Sequence, residues 1–144
     1  MFVTAHIAAG LLIGKLTGNY VAALLGMLLL DLDHFYAFIK ENVFTSWKRL
    51  KKVILFEEYV KGDRTPLHSF TLWLPISLVF VLIDKNFGVP FAIGYLAHLC
   101  MDMVDNSDFY AFWPWEYSFK GPIRYLGWRE LTITLLLLFL WIWV

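Results

Sequence analysis

The sequence predicts an all-α fold, an integral membrane bundle of about five helices forming one domain over residues 1–144. Three observations predict it: a large apolar fraction, uncharged runs of helical length, and polar turn residues between those runs. Of the 144 residues, 60% are hydrophobic and 17% are charged. Soluble domains are roughly 45–50% apolar, and a soluble domain of this length lacks the volume to bury the excess. We therefore expect a bilayer to cover part of the apolar surface.

The uncharged runs place five helices, at about residues 4–16, 20–38, 66–84, 89–104 and 129–144. Only the run at 65–83 clearly has the roughly 20 residues that span about 30 Å of hydrocarbon. Residues 17–19 and 84–88 carry the turn signals between consecutive helices. A cleaved signal peptide is the alternative for the first run, but no basic residue precedes it and no small-residue cleavage site follows it.

Charge predicts the orientation of the bundle. The two long connections, 39–65 and 105–128, emerge on the same side of an up-and-down bundle. That side carries ten of the twelve basic residues: Lys40, Lys48, Arg49, Lys51, Lys52, Lys61, Arg64, Lys120, Arg124 and Arg129. By the positive-inside rule, this face is predicted to be cytoplasmic in a prokaryotic-type plasma membrane. Five spans that start from a cytoplasmic N-terminus place the C-terminus outside.

The long connections have membrane-surface patterns of their own. In the first, Trp47, Leu50, Ile54 and Val60 roughly follow helical spacing among basic residues. This pattern is typical of a short interfacial helix, with a solvated basic loop as the alternative. The second connection holds nine aromatic residues between positions 109 and 128. Such rings are expected at headgroup depth, and packing in the core is equally compatible with the sequence.

The sequence predicts that histidine and aspartate side chains from several helices converge at one end of the bundle. The chain has four His residues, and each lies in one of the first four predicted helices or at its end. Successive helices run in opposite directions. The start of the first predicted helix, the end of the second, the start of the third and the end of the fourth therefore all lie on the long-loop side. Three Asp residues accompany them. The polar residues at this end are His6, Asp31, Asp33, His34, His68, His98 and Asp102.

Small residues follow these polar residues at helical spacing. Rows at i, i+4 spacing contain glycine, which lets helix backbones approach closely. The three rows are His6-Gly10-Gly14-Gly18, Ala22-Gly26-Leu30-His34 and Pro90-Gly94-His98-Asp102. We therefore expect the rows to face neighbouring helices and to bring the backbones together beside the polar cluster.

Mixed imidazole and carboxylate ligands suit a divalent metal. Zinc is the first choice, manganese and iron are alternatives, and the seven residues leave room for one ion or two. Ionisable groups at membrane depth are costly unless they are paired or bind a metal. A bound divalent ion activates water, so hydrolysis is the natural reaction class. The predicted general base is a carboxylate not fully committed to metal, Asp33 or Asp105.

The expected partner is membrane lipid, with an anionic or phosphorylated lipid as substrate. Arg64 and the basic loop are predicted to hold its head group, although positive-inside charge alone would also place them there. Equal numbers of acidic and basic residues, twelve of each, give no reason to expect nucleic acid. The single cysteine, Cys100, excludes an internal disulfide.

Two functions without hydrolysis remain open. A metal carrier would place ligands near the midplane on broken helices, often with repeat symmetry. Here the ligands converge at one end and no repeat is visible, which favours the enzyme over a carrier or a metal-stabilised scaffold. A proton-conducting or sensing bundle would use the same His and Asp residues without a metal.

Five short motifs resemble a known family. They are Thr4-Ala5-His6, Asp31-Leu32-Asp33-His34, residues 64–69, residues 94–102, and Trp113-Pro114. Together they resemble the YdjM-like membrane-bound metal-dependent hydrolases, from the N-terminus to about Pro114. That family is grouped with zinc-dependent phospholipase C and single-strand nucleases, which implies a helical fold around clustered metals and a phosphoester substrate. The resemblance implies six ligands, His6, Asp31, His34, His68, His98 and Asp102, with Asp33 as an additional one. The chain departs from the pattern at Leu30, where proline commonly precedes the Asp, and after Arg64, where the usual glycine is missing.

Overall fold

The predicted helical fold is confirmed in the computed structural model, which describes residues 3–56, 65–124 and 126–144. In these residues there are seven α-helices and a single 3-10 turn at Val43–Thr45. The helices are α1 (Val3–Thr17), α2 (Tyr20–Leu28), α3 (Leu32–Lys40), α4 (Trp47–Phe56), α5 (Phe70–Ile83), α6 (Lys85–Val104) and α7 (Trp128–Trp143). Helix α6 packs against α1, α2 and α5, while α1 also contacts α2 and α7. The core of the bundle is therefore built around α6.

Two helix starts differ from the sequence prediction because of capping residues. Helix α5 begins at Phe70, not at 66, since the Ser69 hydroxyl caps it by accepting a hydrogen bond from the Leu72 N–H at 3.4 Å. Helix α6 begins at Lys85, not at 89. The Asp84 carboxylate caps it by accepting from the N–H of the second helical residue at 2.9 Å. His68 consequently lies in a turn before α5 and not in the helix.

The predicted second helix is interrupted. Residues 29–31 separate α2 from α3, and the N–H groups of residues 31–33 donate to the carbonyls three residues earlier, at 3.1 to 3.3 Å. This tight turn is a 3-10 feature inside an otherwise α-helical stretch. In it the Asp31 N–H donates to the Leu28 carbonyl, at 3.2 Å, where a continuous α-helix would use the Met27 carbonyl. The Met27 carbonyl is thereby available to a side chain.

Helices α2 and α6 touch through their backbones. A Cβ atom at Gly26 would lie 2.1 Å from the Phe91 carbonyl oxygen, and one at Gly94 would lie 2.4 Å from the Ala23 carbonyl oxygen. Both distances are far below any tolerable contact. The predicted close approach beside the polar cluster is confirmed for this pair of helices.

The glycine row of α1 is confirmed in part. A Cβ atom at Gly10 would come within 2.8 Å of Leu24, and one at Gly14 within 2.6 Å of Tyr20, so both face α2. Gly18 has a positive φ of 77° and open space around its Cα. Glycine is therefore needed at this position for the turn between α1 and α2 and not for packing.

The first long connection contains the predicted short helix as α4. Its Lys51 ammonium lies 5.3 Å from the centre of the Trp47 ring. The prediction that Val60 continues this helix falls outside the described residues, as do Lys61 and Arg64.

The second long connection contains no helix between residue 105 and residue 124, and backbone hydrogen bonds attach it to the bundle. The Phe70 N–H donates to the Ala111 carbonyl at 2.8 Å, and the Ile123 N–H donates to the Val104 carbonyl of α6 at 3.0 Å. Phe109 is buried in the core against Phe70. Seven other aromatic residues are exposed: Tyr110, Phe112, Trp113, Trp115, Tyr117, Phe119 and Trp128. Core packing of one ring, Phe109, is therefore confirmed, and the headgroup position of the exposed rings stays a prediction.

Large apolar side chains cover the outside of α5 and α7. Those exposed on α5 are Leu74, Leu78, Val79, Leu82 and Ile83, and those on α7 are Leu131, Leu135, Leu136, Phe139, Leu140, Ile142 and Trp143. Two stretches, Tyr20–Lys40 and Lys85–Val104, are long and apolar enough to cross a membrane. At the end of the bundle away from the long loops, the Lys15 ammonium donates to the Trp141 carbonyl at 2.7 Å and so joins α1 to α7.

Candidate metal centre

His6 lies at the centre of the converging polar side chains. It is fully buried in α1, with Nδ1 3.9 Å from Asp31 Oδ2 and Nε2 3.7 Å from Asp102 Oδ1. Its ring stacks on that of His98 at a centroid distance of 4.3 Å. Neither ring nitrogen has a hydrogen-bond partner among the described residues. Buried polar atoms are nearly always hydrogen-bonded, so this pair of nitrogens points to a bound ligand.

Six of the seven predicted ligands form three overlapping groups that could each hold a metal ion. The groups are His6-Asp31-His98, Asp31-His34-His68 and His68-His98-Asp102, and the donor atoms within each lie within 4.8 Å of one another. Individual nitrogen-to-oxygen distances are 3.5 to 3.9 Å. Two ligand atoms on one tetrahedral zinc ion are about 3.4 Å apart, so small adjustments fit these donors to a shared cation. Because the groups share members, we call the six residues the ligand cluster.

The backbone of α2 orients His98. His98 Nδ1 lies 2.7 Å from the Met27 carbonyl oxygen. A carbonyl oxygen only accepts, so Nδ1 carries a proton, and in the neutral imidazole the lone pair is then on Nε2. That nitrogen lies 3.5 Å from Asp102 Oδ2, one turn further along α6. Hydrogen bonds of this kind typically fix the tautomer of metal-binding histidines, and here the bond depends on the interruption between α2 and α3.

Asp33 orients His68. Asp33 Oδ2 lies 2.9 Å from His68 Nδ1 and accepts a hydrogen bond from the Thr65 N–H at 2.8 Å. A carboxylate beside Nδ1 favours the tautomer with its lone pair on Nε2, and this atom lies 3.8 Å from Asp102 Oδ2. The turn is also held by Tyr95, whose hydroxyl donates to the Leu67 carbonyl at 2.5 Å. Asp33 therefore contacts one member of the ligand cluster, His68, but belongs to none of the three groups found among the described residues.

Asp31 and His34 form the outer part of the ligand cluster. Asp31 directs Oδ2 toward His6 and Oδ1 toward His34 Nε2, each at 3.9 Å. It therefore belongs to two of the three groups and would be shared between them if each held an ion. The His34 side chain is 27% exposed, more than that of His6, and its ring lies 5.4 Å from that of His68.

The other two predicted catalytic residues are placed differently. Asp105 is buried at the C-terminal end of α6, where its Oδ2 accepts from the Ser107 hydroxyl at 2.6 Å. It belongs to none of the metal groups found among the described residues. Arg64 lies outside the described residues. The general-base role of Asp33 or Asp105 and the anion-binding role of Arg64 stay predictions.

A cavity that the sequence analysis did not anticipate adjoins the ligand cluster at His68. Its volume is about 490 Å³. Its lining residues are Thr65, Pro66, His68, Tyr110, Trp113, Pro114, Trp115 and Glu116. We call it the aromatic cavity. The only sequence signal for it is the density of aromatic residues after position 109, which indicated a membrane interface equally well.

Comparison with known proteins gives one result. A family model described as YdjM inner membrane protein matches residues 1–144. The match extends the predicted resemblance from about Pro114 to the whole chain, and its description gives a membrane location and no reaction. No curated protein and no solved structure matches. The chain therefore belongs to the YdjM inner membrane protein family.

Proposed function

We propose that this protein is a multi-pass inner-membrane hydrolase that uses a divalent metal to cleave a phosphoester, with a lipid head group as substrate. The observation that carries this proposal is the buried His6, whose two ring nitrogens have no hydrogen-bond partner among the described residues and face carboxylates. A structural polar network would satisfy these atoms internally. A metal centre instead needs the lone pair of one ring nitrogen, while the N–H of the other nitrogen faces a carboxylate that can accept from it.

The donor chemistry fits a divalent ion. Four imidazoles and two carboxylates suit zinc first, with manganese or iron as alternatives. The ligands would be the members of the ligand cluster, His6, Asp31, His34, His68, His98 and Asp102. A divalent ion bound there would lower the pKa of a coordinated water and polarise a phosphoryl oxygen.

The protein's own groups would orient the ligands and accept the proton. The Met27 carbonyl and Asp33 hold the rings of His98 and His68, so each presents Nε2 to Asp102. Asp33 is the better placed general base, since its carboxylate lies 2.9 Å from His68 of the ligand cluster. Asp105 is the alternative base, and it belongs to none of the three groups found among the described residues.

Membrane embedding explains why large apolar side chains are exposed on the outer surface of the bundle. Apolar faces on α5 and α7 and the two long apolar helical stretches support several spans. The excess of Lys and Arg in the long connections supports a cytoplasmic ligand cluster. Exposed aromatic rings beside the aromatic cavity would then lie at headgroup depth, where a phospholipid presents its phosphate.

The test is to purify the full chain in detergent and measure metal per chain by mass spectrometry. Hydrolysis of bis(p-nitrophenyl) phosphate and of phospholipids is assayed in parallel. We expect one or two ions per chain. We also expect activity to fall at least about 100-fold in His98→Ala and Asp102→Asn, and to persist in the surface control Asp108→Asn.

Two results would overturn the proposal. Wild-type protein that neither retains nor takes up zinc, manganese or iron would show that the polar cluster is not a metal centre and favour a proton-conducting bundle. Bound metal with no turnover of any phosphoester would replace the hydrolase with a metal-stabilised scaffold.

A further inference from the structure

The inner end of the aromatic cavity offers groups for a phosphoryl oxygen. His68 belongs to the ligand cluster and also lines the cavity. Beside it, the Thr65 hydroxyl is buried and has no hydrogen-bond partner among the described residues. Its backbone is fixed, since the Thr65 N–H donates to Asp33. A positioned hydroxyl next to a metal centre is suited to donate to an oxygen of a bound phosphoester.

The exposed residues that line the aromatic cavity favour a cation. Three rings, Tyr110, Trp113 and Trp115, line it with the Glu116 carboxylate. Aromatic faces attract cations, and ammonium ligands are commonly bound in this way. The negative charge of a glutamate beside the rings favours a cation further. The lining therefore combines a buried member of the ligand cluster, His68, with exposed aromatic rings and a carboxylate that favour a cation.

We propose that the aromatic cavity binds phosphoesters whose alcohol carries a cationic amine, as in ethanolamine or choline head groups. The phosphate would lie against Thr65 and His68, and the amine among the three rings and Glu116. This inference rests on the proposed hydrolase function, because it gives the substrate class of the same site.

The test is a binding measurement on zinc-loaded, full-length protein in a neutral detergent. Isothermal titration calorimetry compares phosphoethanolamine and phosphocholine with glycerol 3-phosphate, which has the same phosphate and no amine. We expect at least one amine-bearing probe to bind about tenfold more tightly than glycerol phosphate, the preference that one or two cation–π contacts supply. Phosphoethanolamine against phosphocholine distinguishes a primary from a quaternary ammonium.

Matched variants assign that preference to the cavity. Glu116→Gln and Trp115→Leu should each reduce the tenfold preference to about threefold or less without changing the metal content. Two controls should retain it: Trp128→Leu, an exposed tryptophan outside the lining, and Glu41→Gln, a glutamate paired with Arg49 at the surface.

Equal affinity for all three probes would overturn the inference, and the exposed rings would then be membrane anchors only. Loss of the preference in the controls as well as in the cavity variants would also overturn it. Both results leave bis(p-nitrophenyl) phosphate hydrolysis unaffected. A failure of the proposed function, in contrast, appears as absent metal or absent turnover of that amine-free substrate.

Discussion

The imidazole of His98 is held by the backbone carbonyl of Met27, 2.7 Å from Nδ1. The contact joins α6 to α2 at the point where α2 leaves regular helical geometry. Since Nδ1 donates to this carbonyl, the other ring nitrogen faces Asp102 with its lone pair. One hydrogen bond therefore links the break in a helix to the orientation of a predicted metal ligand.

This relationship predicts different effects for two substitutions of His98. An asparagine amide can replace the Nδ1 donor and keep the bond to Met27, whereas alanine leaves the buried carbonyl unpaired. Both variants should lose at least one bound metal ion per chain. His98→Ala should be less stable than His98→Asn by about 1–3 kcal/mol, measured by thermal unfolding of metal-free protein in detergent. Full metal content in His98→Asn would show that Nε2 is not a ligand.

Removing the charge that orients His68 should weaken metal binding without abolishing it. In Asp33→Asn the carboxylate 2.9 Å from His68 Nδ1 becomes a neutral amide. Loss of such an outer partner typically lowers metal affinity 10- to 100-fold, which competition with a zinc chelator measures. Asp31→Asn changes a predicted direct ligand and should cost more. The variant Asp108→Asn, at an exposed carboxylate that pairs with Lys120, should leave the affinity unchanged. An unchanged affinity in Asp33→Asn would show that His68 needs no carboxylate partner.

The backbone contact between α2 and α6 predicts a large loss of stability from one added methyl group. In Gly26→Ala the new Cβ would lie 2.1 Å from the Phe91 carbonyl oxygen, so the helices must separate. We expect a loss of about 3 kcal/mol or more, measured as a fall in unfolding temperature. Metal content should fall with it, because α6 carries His98 and Asp102. The matched control is Val21→Ala, an exposed position on the same helix, with an expected change within about 0.5 kcal/mol.

The distribution of basic residues predicts opposite locations for two reporter fusions. A reporter after Phe56, in the first long connection, should be cytoplasmic, and one after Val144 should be outside. Paired fluorescent-protein and alkaline-phosphatase fusions in intact cells distinguish the two sides. A cytoplasmic fusion at Val144 would contradict five spans from a cytoplasmic N-terminus.

Helical periodicity and topology predicted the ligand cluster better than they predicted helix ends. Convergence of His6, His34, His68 and His98 needed only the alternation of helix directions, and errors of four residues at a helix start do not change which end a residue occupies. The starts of α5 and α6 were wrong because a serine and an aspartate act as caps. A single capping residue can set the first residue of a helix at a position that the apolar pattern around it does not indicate.

The interruption before α3 could not be derived from apolar periodicity, since residues 28–30 are all leucine. The Met27 carbonyl that it makes available is taken by His98, a residue on another helix that local periodicity does not reveal. The aromatic cavity was missed for a similar reason. Residues 65–68 and 110–116 are far apart in the chain, and only the folded connection brings them together.

Helix α7 contributes no member of the ligand cluster, and every member lies at or before Asp102. The bond from Lys15 to the Trp141 carbonyl ties this last helix to the first one. In the order of synthesis, all six members of the ligand cluster therefore precede α7. Helix α7 covers α1 and completes the bundle without supplying a polar group to the cluster.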